Sequence, residues 1–190
     1  MDKFQNKYRI PSSRLQNWDY GSPGFYFITI CTKNRKHYFG EIVNDEMHTN
    51  TLGSLVNAEW IKTPGIRPDM NLELGEFVVM PNHFHGIMMI GENEFNRDGR
   101  DAMHRVSTVT TLTSPAAATN KFGPQSKNLG SIMRGFKSSI TTHAKKLNLE
   151  FDWQARYHDH IIRNHEEFMR ISKYISGNPG NWKEDKFFDE

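Results

Sequence analysis

The stretch VVMPNHFHGIMMI, residues 78–90, is apolar at both ends and carries two histidines beside a Pro-Asn pair at its centre. Pro and Asn favour tight turns, so NLELGEFVVM and HFHGIMMI are predicted to form the two strands of a hairpin. Because strand side chains alternate between faces, His83 and His85 are predicted to point one way and Phe84 the other. The two imidazoles could form half of a metal site or could be two ordinary hydrogen-bonded histidines.

Strand and helix patterns alternate along the rest of the chain. Residues 24–34 are rich in β-formers and predict a strand, and residues 36–50 predict a short strand and turn. Apolar residues at helical spacing predict helices over 51–65, 129–148 and 165–179. This order predicts an α+β sandwich with helices on one face of an antiparallel sheet.

Composition narrows the class of protein. With 190 residues the chain is long enough for one domain, 1–190, with a core, and residues 91–128 predict a mobile surface insertion because large apolar side chains are sparse there. A formal charge of +2 is too small to indicate a nucleic-acid partner by itself. No apolar run is long enough for a membrane span, and a single cysteine, Cys31, fits a reducing compartment, so we expect a cytoplasmic protein.

The last predicted helix adds two groups with chemical potential. Tyr174 and Asn178 are four residues apart, so they share one helix face. With His83 and His85 they could offer two nitrogens, one amide oxygen and a phenol, a set that suits Mg²⁺ or Mn²⁺ and a nucleophile for phosphorus. The local pattern alone equally allows structural histidines and a half-buried packing tyrosine.

Several ordered motifs connect these residues to a known family. VVMPNHFHGIMMI, GSIMRGFKSSIT, WQARYHDHIIRN and ISKYISGNPGNW occur in this order, after the N-terminal YRIPSSRLQNWDYGSPGFYFITICTKNRKHYFG. Together they resemble the REP-associated tyrosine transposases, a branch of the single-tyrosine HUH transposases. The resemblance covers most of the chain except residues 91–128.

The resemblance implies both a fold and an activity. The fold would be a ferredoxin-like antiparallel sheet with helices packed on it. His83, His85 and Asn178 would bind Mg²⁺ or Mn²⁺, and Tyr174 would cleave single-stranded DNA, often beside a hairpin, through a 5′-phosphotyrosine that leaves a free 3′-OH. The protein would be a monomer or a homodimer.

DNA contacts are harder to predict from the sequence. Basic and histidine side chains in or near the motifs are candidate contacts for DNA: Arg9, Arg14, Arg35, Lys36, Arg134, Lys137, His160 and Arg163. Packing against the sheet is a nearly equal alternative for His160 and Arg163, and the basic face of the 129–148 helix could simply be solvated. Tyr157 is a rival nucleophile, but it has Ile161 four residues later in place of an oxygen ligand. The terminal KEDKFFDE is short, which leaves the basis of DNA sequence recognition open.

Two other functions share these motifs. A non-catalytic DNA-binding derivative of a transposase would keep the fold without cleavage. A replication or mobilisation nickase would use the same histidine pair and tyrosine chemistry. The motif around residues 153–164 favours the transposase branch over the nickases.

Overall fold

The computed structural model describes residues 3–4, 7–8, 15, 18–97 and 126–188. Two short strands, Lys3–Phe4 (β1) and Lys7–Tyr8 (β2), pair near the N-terminus. The remaining strands and α-helices in the described part of the chain are β3 (Gly24–Cys31), β4 (Gly40–Val43), β5 (Glu46–Thr49), α1 (Thr51–Ile66), β6 (Leu72–Met80), β7 (His83–Ile90), α2 (Glu94–Arg97), α3 (Leu129–Lys146), β8 (His158–Ile162) and α4 (His165–Gly177). Three-residue or longer 3₁₀ helices span Lys33–Arg35, Pro68–Met70 and Pro179–Glu184.

The main sheet has four antiparallel strands in the order β6-β7-β3-β8. Along the chain, β3, α1, β6, β7, α3 and β8 follow one another as βαββαβ, and the first strand lies between the third and the fourth. This is the ferredoxin-like arrangement. The predicted fold class is therefore confirmed, and β6 and β7 form the predicted hairpin at Pro81-Asn82.

One face of the sheet packs against α1 and α3 to form the larger core. The ring of Phe84 lies 4.7 Å from that of Trp60 of α1 and 5.6 Å from that of Phe136 of α3, between ring centroids. Gly86 follows on the same face, where an added Cβ would lie 2.9 Å from the Trp60 ring. The glycine therefore leaves the space in which the indole packs.

The other face of the sheet carries α4, which corrects the prediction that all helices lie on one face. Ile171 and Ile175 of α4 pack with Ile87 of β7 and Ile162 of β8 in a second, smaller core. The physical reason is that β3 and β7 are apolar on both faces, so each face needs a covering layer. The sheet therefore lies between two helical layers.

Two further features differ from the sequence prediction. Residues 158–162, for which no strand was predicted, form the edge strand β8, and residues 40–49 form a complete hairpin of β4 and β5. Most of the predicted insertion, residues 98–125, lies outside the described residues. No described helix combines the length and the apolar character needed to cross a membrane.

Candidate active site

The hairpin strand β7 places His83 and His85 side by side. Both rings point to the face of α4, are fully buried, and lie 4.5 Å apart between centroids. Phe84 between them points into the larger core on the opposite face. The alternation predicted from the sequence is confirmed, and the strand presents two imidazoles to one small volume.

Neighbouring side chains orient the two imidazoles. Asn82 donates from Nδ2 to the Phe187 carbonyl at 2.8 Å, which leaves its Oδ1 to accept from His83 Nδ1 at 2.9 Å. His83 Nε2 therefore keeps its lone pair and faces the site. His85 Nδ1 is hydrogen-bonded to Thr29 Oγ1 at 2.8 Å, so its Nε2 also faces inward. Such partners fix imidazole orientation in metal sites.

Burial keeps both imidazoles neutral. It lowers the pKa of His83 to about 4, against the opposing effect of the Asp185 carboxylate. Burial, followed by the neighbouring His83, lowers the pKa of His85 well below its ordinary value. Neutral imidazole is the form that binds a metal, so the pair needs no deprotonation at neutral pH.

Helix α4 brings the predicted phenol and amide to the histidines. Tyr174 Oη lies 3.2 Å from His85 Nε2 and donates to Asp185 Oδ2 at 3.0 Å. Asn178 caps the C-terminus of α4, is buried, and donates from Nδ2 to the same Asp185 oxygen at 2.7 Å. The structure thus brings together His83, His85, Tyr174 and Asn178. Sequence spacing predicted each pair, and the family resemblance implied that the two pairs meet.

The electrostatic setting of Tyr174 holds its proton. Burial, the negative charge of Asp185 and the hydrogen bond to it raise the pKa of the phenol above its ordinary value. Tyr174 as a whole is still 40% exposed, so a substrate can approach the side chain from solvent. A nucleophilic role would need a positive charge beside the oxygen to offset this raised pKa.

Asp185 is a site residue that the sequence prediction missed. It follows the 3₁₀ helix Pro179–Glu184, whose Trp182 is buried with its ring 5.9 Å from that of His83. Phe187 then packs its ring 4.7 Å from His83. Aromatic residues in an otherwise charged terminal segment were the signal that this tail folds back onto the body of the protein.

The donor atoms at this site fit a divalent cation. One ligand atom from each of His83, His85 and Asp185 lies within 4.8 Å of the others, so this group could hold a metal ion. His83 Nε2 and Asn178 Oδ1 are buried acceptors without a hydrogen-bond partner in the described part of the chain. Orphaned acceptors of this kind are costly unless a cation or a water satisfies them. Imidazole nitrogens together with amide and carboxylate oxygens can bind several divalent metals.

The predicted DNA-contact residues lie in different parts of the structure. Arg35 lies beside Phe187, with its guanidinium 5.5 Å from the ring centroid, and Lys137 donates to the Gln154 and Arg156 carbonyls near the same end of the sheet. Lys36 and His160 pair with Glu150 and Glu167, and Arg163 precedes α4 and lines a separate small cavity there; Arg134 lies on α3, and Arg9 and Arg14 fall outside the described residues.

Sequence comparison identifies one family relationship. A Haemophilus influenzae protein (strain ATCC 51907 / DSM 11121 / KW20 / Rd), which carries the description uncharacterized, is 38% identical over 178 residues. The match spans 93% of this chain and 92% of the relative. The chain belongs to the same family as that protein. No protein-family model matches the chain.

Structure comparison identifies the shared fold. A REP-associated tyrosine transposase, solved bound to a REP hairpin, matches with a TM-score of 0.54 and 19% identity over 93% of this chain and 77% of that one. A candidate transposase from Deinococcus radiodurans r1 matches with a TM-score of 0.35 and 16% identity over 87% of this chain and 96% of that one, a score too low to indicate a common fold. The first likeness shows that this chain has the fold of a tyrosine transposase.

Proposed function

We propose that this protein is a transposase of the tyrosine type, which cleaves and rejoins single-stranded DNA through a covalent link to Tyr174. The observation that carries the proposal is the position of the Tyr174 phenol, 3.2 Å from His85 in a cluster of neutral imidazoles with orphaned acceptor atoms. A nucleophile beside a metal-ligand set suits phosphoryl transfer through a covalent intermediate. The hairpin bound to the neighbouring transposase supports DNA with an adjacent hairpin as the substrate.

The roles of the side chains follow from their contacts. His83, His85 and Asn178 would hold a Mg²⁺ or Mn²⁺ ion, and Asp185 would supply a further oxygen. When bound, this cation supplies positive charge that polarises the phosphoryl oxygens and stabilises the leaving oxygen. Asp185 Oδ2 accepts the Tyr174 hydrogen bond, so it is positioned to take the proton that the phenol loses and to pass it on to the leaving 3′ oxygen.

The reaction conserves the energy of the phosphodiester bond. The Tyr174 oxygen forms a bond to phosphorus while the bond from phosphorus to the 3′ oxygen of the preceding nucleotide breaks. The products are a 5′-phosphotyrosine and a free 3′-OH, and the attack of a 3′-OH on the same phosphorus reverses the step. Rejoining therefore needs no external energy source.

We further propose that residues 1–190 act as one domain, in the cytoplasm, as a monomer or a homodimer.

A covalent-adduct assay tests the proposal. Labelled single-stranded DNA from the flanks of the protein's own gene is incubated with the protein and Mn²⁺ or Mg²⁺, then denatured and resolved by mass. We expect an adduct that excess EDTA prevents, with the DNA attached to the peptide that contains Tyr174. An adduct on Tyr157, or undiminished cleavage in EDTA, would contradict the assignment.

The same assay separates the two alternative functions. A non-catalytic derivative would bind the DNA and yield no adduct under any metal condition. A replication or mobilisation nickase would form the adduct on a plasmid origin in preference to the flanks of the gene. The resemblance of residues 153–164 to the transposase motif is the feature that favours the transposase.

A further inference from the structure

A second recess opens on the same face of the sheet as the two histidines. Its volume is about 780 Å³, within the range of roughly 300–1,000 Å³ that is usual for sites that bind small ligands. The end of β3, the loop at residues 154–157, the start of β8 and the C-terminal tail line it, rather than α4. Of this lining, only Thr29, which orients His85, and the tail also take part in the histidine site.

Cross-strand pairing joins this recess to the candidate metal site. His85 of β7 pairs with Thr29 of β3, and Thr29 pairs with His158 of β8, so the three side chains form one row on one face. Thr29 also hydrogen-bonds to His85. Phe187 stands between the two sites, because its ring packs on His83 and also lines the recess. A chain bound at the histidines could therefore continue directly into the recess.

The lining of the recess is positively charged. Arg35, Arg156 and Lys186 contribute cations, and no carboxylate is among the side chains that line it in the described part of the chain. Arg35 and Lys186 also flank the Phe187 ring, at 5.5 and 4.8 Å from its centroid. Tyr157 adds a second aromatic ring, which is half-buried and also packs against the larger core. Cations beside partly exposed rings suit a ligand that has both phosphates and flat bases.

The backbone at two of these cations is in an unfavourable conformation. Arg35 and Arg156 have φ values of 53° and 70°, in the left-handed region that residues other than Gly, Asn and Asp rarely adopt. Lys137 fixes the second loop by donating to the Gln154 and Arg156 carbonyls at 2.7 and 2.9 Å. Retained strain of this kind clusters at binding sites.

We infer that this recess, defined by Arg35, Arg156, Tyr157, Lys186 and Phe187, binds the nucleotide of single-stranded DNA next to the scissile phosphate. The base stacks against Tyr157 or Phe187, and the flanking phosphates contact Arg35 and Arg156. This inference rests on the proposed function, because it takes the histidine site as the place of cleavage. It assigns the recess a role in positioning the strand and in selecting the base at that position.

Binding measurements on matched variants test this inference. The probe is a fluorescein-labelled oligothymidylate, titrated in EDTA at several salt concentrations so that binding occurs without cleavage. The salt slope is the steepness with which the logarithm of the binding constant falls as the logarithm of the salt concentration rises. The double variant Arg35→Gln, Arg156→Gln should reduce this slope by about 1.4, since each phosphate contact on a single strand contributes about 0.7. The charge-matched control is Lys62→Gln with Lys146→Gln, on the helical layer of the other face, which should leave the slope unchanged.

A second pair of variants isolates the stacking contact. Tyr157→Leu should weaken oligothymidylate binding about tenfold without changing the salt slope, whereas Tyr157→Phe keeps the ring and the affinity. In the unmodified protein, photocrosslinking to an oligonucleotide containing 5-iododeoxyuridine should label the peptides with Tyr157 or Phe187, which avoids any effect of a variant on folding.

The possible outcomes distinguish this inference from the proposed function. If the unmodified protein binds oligothymidylate but the recess variants match their controls and crosslinks map elsewhere, the inference is wrong and the proposed function stands. If the unmodified protein binds no single-stranded DNA in this assay or with its own flanking sequence, the proposed function fails and the inference fails with it.

Discussion

The two faces of one β-sheet differ in chemistry although the same strands build both. On the face covered by α1 and α3, Phe84 packs against Trp60 and Phe136 in an apolar core. On the opposite face, its neighbours His83 and His85 meet Tyr174 and Asp185. A single strand, β7, thus contributes to stability with one set of alternate residues and to the candidate site with the other.

The comparison shows how a small domain can keep a polar site rigid. Because Phe84 is fixed from behind by a dense aromatic cluster, the backbone that carries the two histidines has little freedom to move. The face with the histidines does not need to provide most of the stability. Among the described residues this face holds buried acceptors without partners, His83 Nε2 and Asn178 Oδ1, and a bound cation would offset their cost.

The largest expected effect is that of Tyr174→Phe on the histidine face, where we expect a loss of activity with only a limited change in stability. Tyr174→Phe removes only the phenol oxygen, so the yield of covalent adduct should fall by roughly 10⁴-fold or more. The free energy of unfolding should change by less than about 3 kcal/mol, because Tyr174 is partly exposed and loses its hydrogen bonds to His85 and Asp185. Adduct yield and urea unfolding of the two proteins measure this. A persistent adduct in Tyr174→Phe would remove the tyrosine from the mechanism.

The next prediction compares neighbouring residues on opposite faces. Phe84→Ala should lower the free energy of unfolding by about 3–5 kcal/mol, and it should lower the Mn²⁺ affinity of the folded protein by about tenfold at most, through the loosened backbone of β7. His83→Ala should reduce Mn²⁺ affinity by more than about 100-fold at a smaller cost in stability. Urea unfolding and calorimetric titration with Mn²⁺ check both variants. Equal losses of metal affinity in the two variants would show that the faces are not separable.

Much of this comparison was predictable from the sequence, for identifiable reasons. The alternation of His83, Phe84 and His85 depends only on the period of a strand, and the proximity of Tyr174 and Asn178 depends only on the period of a helix. The ferredoxin-like fold was expected from resemblance. Local patterns could not assign α4 to the second face, because that depends on which apolar face of the sheet remains uncovered after α1 and α3 have packed.

Asp185 and the strand β8 were missed because non-local contacts determine both. Asp185 reaches the histidines only because Trp182 is buried and Phe187 packs on His83. The segment HDHII forms a strand because it pairs with β3 along its whole length, although its polar residues give it a weak strand pattern. In each case the contacting residues lie far apart along the chain, and local propensity cannot predict such contacts.

A third prediction uses acid to test the histidine face without DNA. The pKa of His83 is about 4 in the folded protein and 6.5 for an unperturbed histidine, so between these values the unfolded chain binds a proton that the folded one does not. Stability of the metal-free protein should therefore fall as pH decreases through this range. At about 1.4 kcal/mol per unit of pKa, the full contribution of His83 is about 3 kcal/mol.

The matched variant for this prediction is His83→Gln. Its free energy of unfolding in EDTA should fall less steeply between pH 6.5 and 5 than that of the unmodified protein. Comparing the two removes the contribution of carboxylates that titrate in both. Parallel profiles would mean that His83 is not held neutral by burial.

The fourth prediction concerns the carboxylate that the tail carries to the histidines. Asp185→Ala should weaken Mn²⁺ binding by about tenfold. Asp185→Asn keeps an oxygen but not the charge, so its Mn²⁺ affinity should lie between those of the unmodified protein and Asp185→Ala. Glu184→Ala is the control, because this neighbouring acid is exposed and lies outside the ligand group. Calorimetric titration at fixed pH measures all four proteins. Equal affinities of Asp185→Ala and Glu184→Ala would remove Asp185 from the ligand set.

The smallest expected effect concerns Arg134 and Lys137, two basic residues of α3 that the sequence analysis names together as candidate DNA contacts. Arg134 lies in the helical layer on the apolar face, whereas Lys137, three residues later, reaches the Gln154 and Arg156 carbonyls at the end of the sheet. If single-stranded DNA follows the histidine face, Lys137→Ala should reduce the salt slope of oligothymidylate binding by up to about 0.7, directly or by releasing the loop. Arg134→Ala should leave the slope unchanged, since a strand on one face of the sheet cannot reach the layer that covers the other. The reverse result would place the DNA on the helical face and separate binding from the histidines.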